Sequence, residues 1–143
     1  MYLMAALEWI LGIIRANNIY YQITGGLAAK LYGSDRELYD IDLEVSDTDV
    51  FKIYEICKDY VIYGPDRYMD EYFDLLLMTL KYRDQLIDVC GIDNMSIRGM
   101  RQLVDLRNAV NIDDYRVVGL GDLITYKKLL GREVDLIDVR YLE

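Results

Sequence analysis

The sequence predicts an α+β fold, in which helices flank a small mixed β-sheet. Three features predict it: apolar residues at helical spacing near the start, short apolar or alternating segments in the middle, and a tail with helical spacing. At 143 residues the chain is long enough for one domain with a substantial core and too short for two. We therefore predict a single domain over residues 1–143.

The first part of the chain is predicted to alternate helices with short strands. Apolar spacing predicts an amphipathic helix over residues 3–16, and β-branched and aromatic residues predict a strand over 19–23. A Gly-Gly pair at 25–26 is expected to turn the chain into a short helix over 27–32, which Gly33 ends.

The next predicted strand, over 39–45, has apolar and acidic side chains in alternation, so the two kinds are expected on opposite faces. The apolar set is Tyr39, Ile41, Leu43 and Val45, and the acidic set is Asp40, Asp42 and Glu44. A helix capped by Asp47 or Thr48 is predicted to follow, running to about Asp59. Its expected apolar positions are Phe51, Ile53, Tyr54 and Ile56.

The rest of the chain is predicted to hold strands and then helices. The predicted strands cover 61–63, 74–82, 85–92 and 115–118, with turns at 64–66 and at Arg83-Asp84. The predicted helices cover 99–109, 122–130 and 133–142, the last two separated at Gly131.

Composition excludes several kinds of chemistry. The chain has no histidine, which excludes Ser-His and Cys-His nucleophile pairs and most zinc sites. Its net charge of -9 disfavours binding along nucleic-acid backbones, so nucleic acid is a less favoured partner than a small molecule. Cys57 and Cys90 lack metal-ligand spacing and are expected to be buried free thiols. No segment has the pattern of a membrane span or a secretory signal, so we expect a cytoplasmic protein.

Three aspartates are the candidate catalytic and metal-binding residues. Asp40 and Asp42 lie two apart in a strand, which places both carboxylates on one face with Cα atoms about 6–7 Å apart. Asp88 stands in an apolar strand, where an acid is costly without a partner. If the 85–92 strand lies beside the 39–45 strand, the three carboxylates form one cluster. Such a cluster suits Mg²⁺ and has room for two ions.

The glycine pair is the candidate phosphate site. Gly25 and Gly26 permit positive φ and close backbone approach, and the following helix directs free N–H groups outward. Each feature also has an ordinary interpretation: a Gly-Gly pair is a common strand-to-helix turn, and exposed aspartates are usually only solvated. The combination in this order favours a site that holds a metal ion and nucleotide phosphate side by side.

The same residues resemble the nucleotidyltransferase superfamily of the DNA polymerase β type. The resemblance consists of Gly25-Gly26, Asp40-Ile41-Asp42-Leu43, a distant Asp88, Arg36 before the first aspartate, and the tail from residue 122. Within the superfamily the chain looks most like small lincosamide and aminoglycoside antibiotic nucleotidyltransferases and the toxin-type nucleotidyltransferases. It departs from the pattern at Leu38, where Thr, Ser or His often stands.

The resemblance implies a nucleotidyltransferase-like fold and transfer of a nucleoside monophosphate from an NTP co-substrate to a hydroxyl of a small acceptor. Asp40, Asp42 and Asp88 would hold Mg²⁺, and Asp88 would also help to deprotonate the hydroxyl. Gly25, Gly26, Arg36 and Lys127 would bind the nucleotide, although Arg36 could instead form an ion pair and Lys127 a solvated helix face. Two alternatives stay open: a toxin-type transferase that modifies tRNA or protein, and a nucleotide-binding module without turnover. The apolar N-terminal helix is compatible with a homodimer.

Overall fold

A mixed β-sheet of eight strands organises the chain, and five α-helices lie against it across the described residues 2–143. The structure is a computed structural model, and Met1, the first residue of the predicted domain, lies outside those residues. The helices are α1 (Tyr2–Ala16), α2 (Gly25–Leu31), α3 (Asp47–Cys57), α4 (Leu120–Leu130) and α5 (Glu133–Leu142). The strands are β1 (Gln22–Thr24), β2 (Asp40–Val45), β3 (Val61–Met69), β4 (Phe73–Tyr82), β5 (Gln85–Ile97), β6 (Met100–Arg101), β7 (Val110–Ile112) and β8 (Tyr115–Val117). The α+β prediction with a mixed sheet is confirmed.

The strand order places β2 in the middle of the sheet. The order is β3-β4-β5-β2-β1-β8-β7, and β6 pairs with the far end of β5. The pairs β2–β5 and β1–β8 are parallel, and the others are antiparallel. The 39–45 and 85–92 segments are therefore neighbours, which is the condition that the predicted cluster of three carboxylates requires.

One face of the sheet forms the main core. Ile41, Leu43 and Val45 of β2 are fully buried there, and Ile41 and Leu43 align with Ile87 and Val89 of β5. Helices α1 and α3 contact this face. Burying each such aliphatic side chain contributes about 1.5–3 kcal/mol, so this face anchors β2 firmly.

The apolar side of α1 is buried in this core. Leu7, Ile10, Leu11 and Ile14 are all fully buried within the chain. The homodimer expectation therefore loses the apolar surface on which it rested, and it stays a prediction.

The opposite face of the sheet is polar near its centre, and α4 and α5 lie over it. It carries Gln22 and Thr24 of β1, Asp40, Asp42 and Glu44 of β2, and Asp88 and Cys90 of β5. Gln22 Nε2 donates a hydrogen bond of 2.7 Å to Glu44 Oε1, which satisfies that buried carboxylate. The alternation predicted for β2 is confirmed from residue 40 onward, but Tyr39 precedes the strand and is 73% exposed.

The start and the buried side of α3 differ from the prediction. Ser46, not Asp47 or Thr48, caps the helix, because its Oγ accepts a hydrogen bond from the Asp49 backbone N–H at 3.2 Å. The buried side consists of Val50, Ile53 and Cys57, while Phe51 and Ile56 are exposed. Two of the four expected apolar positions are thus wrong.

Two predicted elements beyond α3 are also wrong. Residues 64–66 do not form a turn, because β3 continues through them to Met69 with irregular register against β4. Proline is tolerated there because β3 is an edge strand, where a missing N–H need not break a ladder. Residues 99–109 do not form the predicted α-helix, and only Leu106–Asn108 form a short 3₁₀ helix. Arg98 and Gly99 adopt positive φ and turn the chain into β6.

The strand predicted over 19–23 lies at 22–24 and the helix predicted over 27–32 lies at 25–31, whereas two further boundaries are confirmed. Strands β4 and β5 form a hairpin in which Tyr82 pairs with Gln85, and the intervening Arg83 and Asp84 both have positive φ. Gly131, with φ of 65°, separates α4 from α5. No helix within residues 2–143 combines the length and apolar character that crossing a bilayer requires.

Candidate functional site

A cavity of about 530 Å³ lies between the polar face of the sheet and helices α2, α4 and α5. All seven residues singled out from the sequence line it: Gly25, Gly26, Arg36, Asp40, Asp42, Asp88 and Lys127. Carboxylates outnumber cations among its lining side chains. The structure thus brings the predicted residues together in one place.

The aspartates are brought together by the parallel pairing of β2 with β5. Asp42 and Asp88 are direct partners in the register, so their side chains project from the same face. Asp40 lies two residues earlier in β2 and shares that face. Thr79 of β4, the partner of Asp88 on its other side, donates a hydrogen bond of 2.7 Å from Oγ1 to Asp88 Oδ1.

The electrostatics of this cluster oppose full ionisation. Burial, followed by the charges of Asp88 and Asp40, raises the pKa of Asp42 to about 7. Burial also raises the pKa of Asp88, although the Thr79 hydrogen bond acts against that rise. Neighbouring acids with raised pKa values are the pattern that a hard cation relieves, because the cation favours the charged form of each carboxylate.

The side chains of the cluster offer the oxygen ligands that Mg²⁺ prefers, but their carboxylates do not converge on one point. The donors are carboxylate oxygens, which Mg²⁺ prefers, without thiolate or imidazole. Within residues 2–143, no three Asp, Glu, Cys or His side chains are arranged to hold a metal in the conformation shown. Mutual repulsion disfavours a closer approach of the carboxylates without a cation. Binding would therefore require rotation of the aspartate side chains.

The glycine turn is shaped by close contacts with the site. Gly25 has φ of 64°, and a Cβ there would overlap Asp42 Oδ2. A Cβ at Gly26 would lie 2.8 Å from Arg36 Nη2 and 2.7 Å from Leu38 Cδ2. Gly25 therefore lies directly against Asp42 of the candidate metal site, and Gly26 lies directly against Arg36. Only a residue without a side chain permits such close contacts.

The two predicted phosphate-binding cations are both engaged in ion pairs. Arg36 donates to Asp138 of α5 through Nε at 2.9 Å and Nη2 at 2.8 Å. Lys127 of α4 is 2% exposed, and its Nζ lies 2.9 Å from Asp138 and 3.5 Å from Asp135. Lys127 is therefore buried rather than part of a solvated helix face.

Several residues of this site are not predicted from the sequence. Asp135 and Asp138 are fully buried in α5, Arg132 donates to Asp135 from Nε at 2.7 Å, and the ring of Tyr126 lies near Asp42 and Glu44. Burial raises the pKa of the Tyr126 phenol well above its usual value, so it stays protonated. The available signal was two acids three residues apart in a helix, which share a face.

Comparison with known proteins shows the fold. No protein-family model matches the chain, and no curated protein sequence matches it. Solved structures do match. A candidate nucleotidyltransferase from Thermotoga maritima has a TM-score of 0.77 at 19% identity, over 96% of this chain and 90% of that one. ANT(2'')-Ia in complex with adenylyl-2''-tobramycin has a TM-score of 0.66 at 15% identity, over 99% of this chain and 88% of that one.

A third structure, a candidate nucleotidyltransferase from Helicobacter pylori, has a TM-score of 0.54 at 16% identity, over 94% of this chain and 65% of that one. These likenesses show that the chain has a nucleotidyltransferase-like fold, as the resemblance in its sequence implied. At this level of identity they establish the fold alone, so activity has to be argued from the cavity.

Proposed function

We propose that the protein is a metal-dependent nucleotidyltransferase that moves a nucleoside monophosphate from an NTP to a hydroxyl of a small-molecule acceptor. One observation carries the proposal: Asp42 and Asp88 are partners in the register, with Asp40 on the same face, directly beside the Gly25 turn. Solved nucleotidyltransferase structures of the same fold support it.

Each residue has a defined part. Asp40, Asp42 and Asp88 would hold Mg²⁺, and two ions bound there would supply positive charge that offsets the charge of the phosphate oxygens. Asp88 accepts the proton of the acceptor hydroxyl, whose oxygen attacks the α-phosphorus. A new O–P bond forms, the bond to the β-phosphate oxygen breaks, and pyrophosphate leaves.

The remaining residues bind the triphosphate. Gly25 and Gly26 line the cavity without side chains, so their backbone is open to phosphate oxygens there. Arg36 and Lys127 lie at the same cavity and offset the charge of the phosphates. Lys127 also lies near Asp42, and its positive charge acts to lower the pKa of that carboxyl. The same cation therefore acts on the triphosphate and on the aspartate cluster.

The cavity favours a neutral or cationic small acceptor over RNA. Its lining is acidic, and its three cations, Arg36, Lys127 and Arg132, are already paired with acids of α5. The chain as a whole carries a net charge of -9. A nucleic-acid backbone would meet repulsion across this surface.

A direct test follows labelled nucleotide. Each α-³²P-labelled NTP is incubated with the protein, Mg²⁺ and a pool of small metabolites, bulk tRNA or total protein, with Asp42→Asn as the matched inactive variant. Label in hydroxyl-bearing metabolites that depends on Mg²⁺ and Asp42 supports the proposal. Label in tRNA or protein alone would instead identify a toxin-type transferase.

The second candidate is a nucleotide-binding module without turnover. The ungathered carboxylates and Leu38, which packs against Gly26 beside them, favour it. It predicts Mg²⁺-dependent nucleotide binding with no transfer to any of the three pools. The same experiment, combined with a binding measurement, therefore separates the two candidates.

A further inference from the structure

The carboxylate of Asp138 binds the two cations that face the glycine turn and the aspartates. It is fully buried in α5 and accepts two hydrogen bonds from Arg36, one on each oxygen. Its Oδ2 also lies 2.9 Å from Lys127 Nζ, and Ser34 Oγ donates to Oδ1 at 3.2 Å. One side chain thus joins the segment between α2 and β2 to both C-terminal helices.

The arrangement fixes where the Arg36 guanidinium lies. Asp138 binds Nε and Nη2 together, which sets the plane of the group as well as its position. Nη2 simultaneously packs against Gly26, close enough that a Cβ there would lie 2.8 Å away. Nη1 is left with a single long contact of 3.5 Å to the Glu37 carbonyl. The guanidinium is therefore held at the glycine turn with one nitrogen almost uncommitted.

Stability alone does not account for this network. Removing charges from water costs several kcal/mol per ion, and well-packed apolar residues of similar volume often stabilise as well or better. Burial by itself would raise the pKa of Asp138, but hydrogen bonds from Arg36 and Lys127 outweigh burial and lower it. The carboxylate of Asp138 is therefore ionised, and its charge orients Arg36 and Lys127.

We propose that Asp138 is a positioning residue for nucleotide binding. It holds Arg36 against Gly26, and it holds Lys127 in the lining of the cavity. Both cations are thus oriented before the triphosphate arrives. This inference rests on the function proposed above and adds to it a residue that does not itself touch the nucleotide. Orienting the donors in advance lowers the entropy lost on binding.

The sign of one change separates positioning from a simple charge effect. Asp138→Asn removes a negative charge next to the phosphate site, so Coulomb's law alone predicts tighter binding of a polyanion. Loss of positioning predicts weaker binding, because the amide has a single oxygen acceptor and no charge, so it can neither accept both Arg36 hydrogen bonds nor neutralise Lys127. The two effects act in opposite directions on the same measured constant.

The experiment measures binding of inorganic tripolyphosphate with Mg²⁺ by titration calorimetry, since this probe carries three phosphates and no base. We expect Asp138→Asn to weaken binding at least tenfold. The matched control is Asp105→Asn, which breaks another two-bond Asp–Arg pair, exposed and outside the cavity lining, and should change binding less than twofold. Unchanged or tighter binding by Asp138→Asn would overturn the inference.

Two milder variants keep the test decisive if Asp138→Asn does not fold. Asp138→Glu keeps the charge and moves the carboxylate by one methylene, and Ser34→Ala removes one hydrogen bond to it. Positioning predicts weaker binding by both variants, about fivefold for the glutamate, whereas wild-type affinity in both would refute it. If wild type itself does not bind the probe with Mg²⁺, the proposed function fails instead, which is a distinct outcome.

Discussion

Asp42 and Asp88 stand opposite one another on two parallel strands at the centre of the sheet, with their side chains on the same face. Apolar neighbours anchor both strands on the other face, where Ile41 and Leu43 align with Ile87 and Val89 and are completely buried. The core therefore fixes two like charges side by side. A cation bound between the two carboxylates would relieve the repulsion that this arrangement creates.

Asp42→Asn should stabilise the protein without metal while it abolishes metal binding. The pKa of Asp42 is about 7 in the folded state, against about 3.9 in an unfolded chain. The folded state thus holds the proton more tightly, and stability falls as pH rises from about 4 to 7. At pH 8 we expect the variant to gain about 2–4 kcal/mol in the free energy of unfolding.

Urea denaturation of wild type and variant at pH 5 and pH 8 checks this, with the exposed Asp59→Asn as control. The gain should be largest at pH 8 and small at pH 5. Equal stability of wild type and Asp42→Asn at pH 8 would contradict the raised pKa.

Thr79→Val should weaken Mg²⁺ binding by about five- to tenfold near pH 7, which corresponds to one hydrogen bond of about 1 kcal/mol. The Thr79 hydrogen bond favours the charged form of Asp88 and so lowers its pKa, and its loss makes the ionisation that Mg²⁺ binding requires less favourable. Calorimetric Mg²⁺ titration measures the change, and raising the pH should restore part of the affinity. Thr48→Val, at an exposed position of α3, should behave as wild type. A loss of Mg²⁺ affinity that is the same at all pH values would show that Thr79 does not act through the pKa of Asp88.

Gly25→Ala should both destabilise the fold and disturb the site. The positive φ of Gly25 costs about 1 kcal/mol or more for alanine, and the new Cβ would overlap Asp42 Oδ2. Gly121→Ala is the matched control in α4, because nothing lies within 4 Å of its added Cβ and its φ is not positive. We expect lower thermal stability and lost Mg²⁺ binding for Gly25→Ala only. Wild-type Mg²⁺ affinity in a folded Gly25→Ala would disprove the contact.

Asp138→Asn should lower the free energy of unfolding by about 3–5 kcal/mol at neutral pH, since it leaves Arg36 and Lys127 with less neutralising charge. The pKa of Asp138 is lowered in the folded state, so its contribution is complete above about pH 4 and fades as pH falls further. The dependence on pH is opposite to that of Asp42. Denaturation curves from pH 3 to 8 test it, and a cost independent of pH would contradict the charged role.

The site was largely predictable because its parts are local sequence signals. A strand with alternating acids, an acid within a second apolar strand and a Gly-Gly turn each appear in a few consecutive residues. Only the pairing of β2 with β5 had to be assumed, and the apolar side of each strand enforces it.

The errors arose where tertiary contacts decide local structure. Pro65 predicts a turn from the sequence, but it lies within β3, which tolerates a proline because it is an edge strand. The sequence shows that Asp135 and Asp138 share a helix face, but it does not show that this face is buried or that it pairs with Lys127 and Arg36. Their burial depends on how α5 packs against α4 and α2, which no local pattern encodes.

Binding of the four α,β-methylene NTP analogues with and without Mg²⁺, by calorimetry, tests the central claim most directly. Wild type, Asp42→Asn and Asp88→Asn are compared side by side. We predict that at least one analogue binds wild type only when Mg²⁺ is present, and that each substitution abolishes this binding. Failure of every analogue to bind with Mg²⁺, or unchanged affinity in both variants, would contradict the assignment of these aspartates to a metal and nucleotide site.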